Sequence, residues 1–483
     1  MKILFAVPEL YPLVKTGGLG DVAAALPPAL ARAGADVRVL MPAYRGLAEQ
    51  SRAKPVADLG QPLGAGPATL LEGRIPDSGL ALWLIDNPAL FDRDGGPYLT
   101  PDGADWPDNG LRFALLGWAA ARLSRTDSPT GWTPDIVHGH DWQAGLTGAY
   151  LKSWGVKRPG IVFTIHNMVY PGMFPPDILP RLGLPESYYG IDGLEYWGHV
   201  SYLKAGLVFA DKLTTVSPTY AREITTTPHG CGMEGILAER TQDLTGILNG
   251  ADYAVWNPAD DPAIERTYDD SDLEAGKAAN KAALQRRLGL PEQPDAPLMA
   301  VISRLSEQKG MDLLLAALPA LLAQGAQLAL LGAGDKKQED AFTALAAARP
   351  EQAAVHIGYS EPLAHQLMAG ADLFLMPSRF EPCGLTQIYA MRYGTLPVVH
   401  RTGGLADTVT DAGYDSLLTG AATGFVFEQP SAAAFQWGVE RALAVYRTQP
   451  QQWRRIQAAA RQRNFGWDAA AADYLSLYRQ IRP

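Results

Sequence analysis

The stretch VKTGGLGDV (14–22) follows an apolar run, KILFAV (2–7), and leads into a helix-like segment, AAALPPALARAG. A strand, a glycine-rich turn and a helix in that order make the first βα unit of an open α/β sheet. Such a turn lets backbone N–H groups approach a phosphate at the helix N-terminus. Gly18, Gly20 and Ala23 fit the dinucleotide pattern G-x-G-x-x-A. That pattern also needs a carboxylate about 20 residues on, at the end of the second strand, to hold a ribose. The second strand ends MPAYRG and has none, and Lys15 has no part in the pattern. The Walker sequence G-x-x-x-x-G-K-S/T is absent too. The turn therefore suits an anion other than NAD, or is only a tight strand–helix connection.

Working outward, strand-like apolar runs alternate with helical patterns along the whole chain. The first series is KILFAV (2–7), DVRVLMP (36–42), LALWLID (80–86), DIVHGH (135–140), IVFTIH (161–166) and KLTTVS (212–217). The second is LMAVIS (298–303), QLALLG (327–332), AVHIGY (354–359), DLFLMP (372–377) and LPVVH (396–400). Runs apolar on both faces and separated by helices predict parallel sheets in doubly wound α/β domains. Between the two series lies NGADYAVWNPADDP (249–262), whose Asn, Asp and Pro mark a linker. The reading is two Rossmann-like domains, 1–250 and 251–460. A helical segment, 461–483, with a break near Phe465–Gly466, packs back on the first. Residues 44–79 show no clear periodicity.

With 483 residues, 47% hydrophobic and 19% charged, the chain can bury large cores. Its net charge of -10 speaks against nucleic acid or an anionic membrane as partner, since both need a cationic surface. Two cysteines, Cys231 and Cys383, form neither a disulfide framework nor a thiolate zinc site. The first apolar run is short and stopped by Pro8 and Glu9, unlike a signal peptide. No run approaches the roughly 18 apolar residues of a membrane span. These features predict a cytoplasmic protein.

Ligands of open α/β sheets bind beyond the carboxyl ends of the strands, so the loops there carry the chemistry. In SRLSEQKG (303–310), Arg304 and Lys309 flank a helix start, where a guanidinium fork and an ammonium can grip phosphate. In RFEPCGLT (379–386), Glu381 precedes a helix and either grips a polyhydroxy ligand with the N–H groups of Gly384 to Thr386 or caps the helix. Cys383 reads as a small residue at the helix start. In HGHDWQAG (138–145) and IHNMVYPGMF (165–174), Asp141, His166 and Asn167 end strands and could bind sugar hydroxyls. His138 and His140 share a strand face, which hints at a metal, but no third ligand is evident. Trp142, Tyr170 and Phe174 either cover a sugar ring or pack.

Lys15-Thr16-Gly17-Gly18, Ser303-Arg304-Leu305 with Gln308-Lys309-Gly310, and the 379–386 segment together resemble bacterial glycogen synthases and plant starch synthases. So do HGHDWQAG, TIHNMVYPGMF, KAGLVFADKLTTVSPTYAREI, GILNGADYAVWNP, PYLTPDGADWPDNGLRFA and RTGGLADTV, in the family's order from residue 1 to about 475. The resemblance implies an α/β GT-B fold, two Rossmann-like doubly wound domains with an interdomain active-site cleft. It implies transfer of glucose from ADP-glucose to the non-reducing end of an α-1,4-glucan such as glycogen, with retention, and with no cofactor or obligatory metal. By position, Lys15, Gly18, Arg304 and Lys309 match the donor phosphate site. Asp21, Asn249 and Tyr359 match the surroundings of the nucleotide. Asp141, His166, Glu381, Cys383, Gly384 and Leu385 match those of the transferred glucose and the phosphates. Many retaining relatives in the wider superfamily carry a second Glu eight residues after the first; here Tyr389 stands there, as the resemblance to this family implies. Gln143 stands where some relatives have His.

Two other classes share parts of this pattern. A glucan phosphorylase would need pyridoxal phosphate on a Lys, and no segment matches one. A non-catalytic glucan-binding protein would keep the fold, yet here every cationic and carboxylate position is filled. A dehydrogenase is more distant.

Overall fold

The computed structural model describes residues 1–482. The chain divides into two compact units, Met1–Gly250 together with the segment from Trp467 on, and Ala251–Gly466. The expected boundary at 460/461 is corrected by this division, because it would cut the helix Pro450–Gln462. That helix buries Trp453, Ile456 and Ala460 in the core of the second unit, so the chain leaves this unit only at the turn that follows. There the Ala251 N–H donates to the Phe465 carbonyl at 2.7 Å.

The strands of the first unit are β1 (Lys2–Ala6), β2 (Asp36–Pro42), β3 (Lys54–Gly60), β4 (Ala68–Arg74), β5 (Ala81–Asp86), β6 (Ile136–His140), β7 (Gly160–Ile165), β8 (Met173–Phe174), β9 (Glu195–Tyr196), β10 (His199–Ser201), β11 (Lys212–Thr215) and β12 (Leu244–Gly246). Nine form one sheet in the order β12-β11-β7-β6-β1-β2-β5-β4-β3, while β8, β10 and β9 form a small antiparallel sheet. The large sheet is parallel except at its edge, where β4 pairs antiparallel with both β3 and β5. This edge is the stretch without legible periodicity. Most of β3 is exposed, it carries Pro55, and its register shifts between Pro55/Ala57 and Asp58/Gly60. Pro and bulges are tolerated on an edge strand and blur its alternation.

The central strands are apolar because both faces are covered. Ile3, Leu4, Phe5 and Ala6 of β1 have no exposed surface. The last helix, Trp467–Ile481, closes over this unit: Tyr478 Oη lies 2.7 Å from His138 Nδ1, and Arg32 pairs with Asp468 at 2.7 Å. A side chain at Gly160 would meet the Ile481 carbonyl at 2.7 Å, so the close approach requires glycine.

The second unit has β13 (Leu298–Ile302), β14 (Gln327–Gly332), β15 (Ala353–Ile357), β16 (Leu373–Met376), β17 (Leu396–His400) and β18 (Phe425–Phe427). Their order is β15-β14-β13-β16-β17-β18, all parallel. Trp256, from the segment read as a linker, is fixed in this unit. It stacks between His365 and Tyr389 at 3.9 and 4.4 Å, with interplanar angles of 8° and 7°. In both sheets the order reverses at one strand, β1 between β2 and β6, and β13 between β14 and β16. Such switch points open a crevice at the strands' carboxyl ends. Among the described residues no helix is long and apolar enough to cross a membrane.

Candidate active site

After β1 the chain turns back on itself, with Leu10 and Val14 exchanging backbone hydrogen bonds of 2.9 Å each. Glu9, 3% exposed, holds the loop. Its carboxylate accepts from the Thr16 N–H and hydroxyl at 2.6 Å each, from the Gly17 N–H at 3.2 Å and from Tyr98 Oη at 2.5 Å. These bonds fix Lys15 close to the start of the helix Gly18–Arg32, whose N-cap, Gly17, supplies no side-chain bond. A Cβ at Gly17 or Gly18 would meet nothing within 4 Å, so packing does not demand these glycines and the space beside them is open. The Lys15 ammonium does not stand alone: it pairs with Asp21 at 2.7 Å.

After β6, Asp141 adopts φ 52, a left-handed conformation costing a non-glycine residue roughly 1 kcal/mol. The turn folds its carboxylate back so that Oδ1 accepts the His166 N–H at 2.7 Å. Desolvation pushes the Asp141 carboxyl up to about 7, against the pull of the backbone donors of His166 and Asn167. His166 follows β7, and its Nε2 lies 3.0 Å from His140 Nδ1. Desolvation lowers His166 to about 3 and drives the fully buried His140 well below its usual range, so both rings are neutral at pH 7. The hint of a metal has another physical cause. His138 lies 2.7 Å from Tyr478 Oη and 2.6 Å from Thr164 Oγ1, and His140 faces His166.

The aromatic residues divide. Trp142 packs on Phe113 and Phe174 at 4.9 and 5.7 Å, whereas Tyr170 is 49% exposed. Gln143 and Asn249 are both buried, and neither side-chain oxygen has a hydrogen-bond partner among the described residues.

In the second unit, adjacency of β13 and β16 brings their following loops together. Lys309 Nζ donates to Glu381 Oε1 at 2.8 Å and Oε2 at 2.6 Å, and Ser378 Oγ donates to Oε2 at 3.0 Å. Glu381 is 6% exposed. Its carboxylate is therefore taken by Lys309 and Ser378; the helix-capping alternative fails because the helix Thr386–Arg392 begins later, at the N-cap Leu385. Arg379 clamps the loops with two bonds of 2.7 Å to the Asp312 carboxylate, and its N–H donates to the Gln308 carbonyl at 2.9 Å. Gly310, at φ 67, would place a Cβ 2.0 Å from the Pro377 carbonyl. Gly403 would place one 2.0 Å from the Glu381 carbonyl, so the glycine pair of RTGGLADTV lets this backbone press on the Glu381 loop.

Arg304 is exposed and forms no ion pair among the described residues. Cys383 is buried beside Gly384, which has φ 72. Tyr359, 76% exposed, has its hydroxyl 3.4 Å from Glu361. The arrangement gathers Lys15 with Asp21, Asp141 with His166, and Lys309 with Glu381. Sequence reasoning missed Glu9, Ser378 and the Arg379–Asp312 clamp. The glycine pair 403–404 was the signal of a close approach to the 381 loop.

Residues 2–239 match the starch synthase catalytic domain family, and residues 285–463 match glycosyl transferases group 1. The chain is 58% identical to the glycogen synthase of Paramagnetospirillum magneticum, over 100% of this chain and 98% of that one. It is 50% identical to the glycogen synthase of Rhodospirillum rubrum, over 99% and 98%. The structure of the catalytic domain of starch synthase IV from Arabidopsis thaliana, bound to ADP and acarbose, superposes with a TM-score of 0.87 at 32% identity, covering 99% of each chain. Likeness of this extent along the whole chain makes it a member of the bacterial glycogen synthase family, a glycosyltransferase with the GT-B fold of two Rossmann-like domains.

Proposed function

We propose that this enzyme transfers glucose from ADP-glucose to the non-reducing end of an α-1,4-glucan, with retention at the anomeric carbon and release of ADP. The observation that carries the reading is the chain-long likeness to a structure bound to ADP and acarbose. Lys309, Arg304 and Lys15 act on the diphosphate. As the bond between glucose and the bridging oxygen breaks, negative charge grows on the leaving ADP, and fixed cations aimed at that oxygen act most strongly in the transition state. Lys309 suits this part, since two carboxylate bonds to Glu381 hold its ammonium in one place. Glu381 orients Lys309 and offsets positive charge on the sugar ring. Lys15 exchanges Asp21 for phosphate when donor binds. Asp141 and His166 hold sugar hydroxyls, while Gly18, Asn249, Tyr359, Cys383, Gly384 and Leu385 shape the donor site.

A radiolabelled transfer assay with glycogen as acceptor tests the reading. The expected result is label incorporated from ADP-glucose in preference to UDP-glucose, in linkages that an α-1,4-specific glucosidase releases. Preference for UDP-glucose, or binding of glycogen without turnover of either donor, would reject it.

A further inference from the structure

We propose that His140 is a positioning residue: it fixes the tautomer of His166, so that His166 presents an N–H donor, at Nδ1, to its ligand. The inference rests on the reading of His166 as a contact to a sugar hydroxyl.

Two consecutive residues at the end of β6 hold His166 at two points. The Asp141 carboxylate takes its backbone N–H at 2.7 Å, and His140 Nδ1 meets its ring at Nε2, 3.0 Å away. Both rings are neutral, because each is desolvated. A neutral imidazole carries one N–H, so the contact holds a single proton and allows two arrangements. In one, His140 carries its proton on Nε2 and His166 on Nε2. In the other, His140 Nδ1–H donates to His166 Nε2, and the His166 proton sits on Nδ1.

The far nitrogen of His140 separates the two. His140 has no exposed surface, and its Nε2 is buried with no hydrogen-bond partner among the described residues. The ring is enclosed by Phe5 and His138, with centroids at 4.1 and 4.0 Å, and both His138 nitrogens are engaged elsewhere. The first arrangement strands an N–H donor there, and orphaned buried N–H groups are the rarer kind. The second leaves only a lone pair. It is the one the packing favours, and it turns His166 Nδ1, on a half-buried side chain, into a donor. A donor of fixed direction suits a hydroxyl oxygen, which offers two lone pairs.

Long-range proton–nitrogen NMR correlation on the full chain labelled with 15N-histidine reads the tautomer directly, with the His166 signals assigned by their loss in His166→Gln. The expected result is a protonated Nδ1 and an unprotonated Nε2 on His166. His140→Leu should shift His166 toward the Nε2–H form, while His140→Asn, whose amide N–H takes the place of Nδ1–H, should keep the Nδ1–H form. In the transfer assay His140→Leu should lower kcat about tenfold and His140→Asn should recover most of it. Wild-type His166 with its proton on Nε2 overturns the inference whatever the kinetics, and needs no variant of His140. The Nδ1–H form in wild type, lost in His140→Leu, upholds it. If transfer is then unaffected, the tautomer assignment stands and the reading of His166 as a sugar contact fails instead.

Discussion

At the carboxyl ends of β6 and β7 the first unit holds an uncharged pair, His140 and His166, with a carboxyl at Asp141 that desolvation pushes up to about 7. At the carboxyl ends of β13 and β16 the second holds a charged pair, Lys309 and Glu381, joined by bonds of 2.8 and 2.6 Å. Both pairs stand at the carboxyl ends of two adjacent parallel strands, so strand pairing alone does not distinguish them. Their surroundings do. His140 is enclosed by Phe5 and His138, and His166 is desolvated beside it, so an ionised ring is costly at both. The Lys309–Glu381 pair has partners that compensate burial: each charge faces the other, and Ser378 adds a donor. Neutral groups of fixed direction suit hydroxyls, which carry no charge in either ground or transition state. Fixed charges suit a diphosphate whose charge grows as it leaves.

The largest expected effect is at Glu381. Glu381→Gln leaves the Lys309 ammonium without its counter-charge, so we expect kcat to fall on the order of 100- to 1,000-fold. Folding stability should fall by about 3 kcal/mol. Steady-state kinetics and calorimetry on the same preparation check both, and near-normal turnover would remove Glu381 from the chemistry. Arg304→Ala should cost less, about tenfold in kcat/KM, because an exposed cation acts through a high dielectric. Arg304→Lys should recover only part, since the bidentate fork is lost. Equal losses at Arg304 and Lys309 would erase the contrast drawn between an exposed and an anchored cation.

Gly18→Ala adds a methyl where nothing lies within 4 Å, at a φ an ordinary residue adopts. The fold should be unchanged or gain up to about 1 kcal/mol. The KM for ADP-glucose should rise a few-fold if the diphosphate approaches this turn, and an unaltered KM would place the donor elsewhere.

A further effect is a change in how stability varies with pH. The Asp141 carboxyl titrates at about 7 in the folded protein, against about 3.9 unfolded. Between those pH values the folded state holds more protons than the unfolded one, so this group's contribution to stability falls as pH rises. The lowered His166 acts in the opposite sense, adding stability as pH rises from about 3 toward its unfolded value. Asp141→Asn keeps an acceptor for the His166 N–H and removes the first of these. Relative to wild type, the variant should gain stability progressively from pH 4 to pH 7 in denaturant titrations. A constant difference across that window would mean that Asp141 is not held protonated by the fold.

Much of this was legible in the sequence. The central strands could be read because parallel strands covered on both faces are continuous apolar runs: DVRVLMP, QLALLG and LPVVH have the bounds of β2, β14 and β17. The β3–β4 edge could not, since an exposed strand with Pro55 and shifted register carries no clean alternation. Lys15, Arg304, Lys309 and Glu381 stood out as charges just beyond strand ends. The bond between Lys309 and Glu381 did not, because it depends on β13 lying next to β16 across 72 residues of chain. His140 suggested a metal because two histidines at spacing two share a face. Only the fold shows that Thr164 and Tyr478 meet both nitrogens of His138 and that His166 meets Nδ1 of His140. At Tyr389 the sequence showed a missing carboxylate, and the fold shows a ring stacked on Trp256 in its place.

In the proposed reaction the charged pair of the second unit acts on charge that develops as ADP departs, whereas a mere anchor would act on charge already present. Steady-state kinetics of Lys309→Ala with varied ADP-glucose at saturating glycogen separate the two. Removing a cation that serves ground and transition state alike raises KM and leaves kcat. Lys309→Ala should instead lower kcat about a hundredfold, the cost of one preorganised donor to a developing anion, with a smaller rise in KM. A rise in KM with unchanged kcat would contradict it.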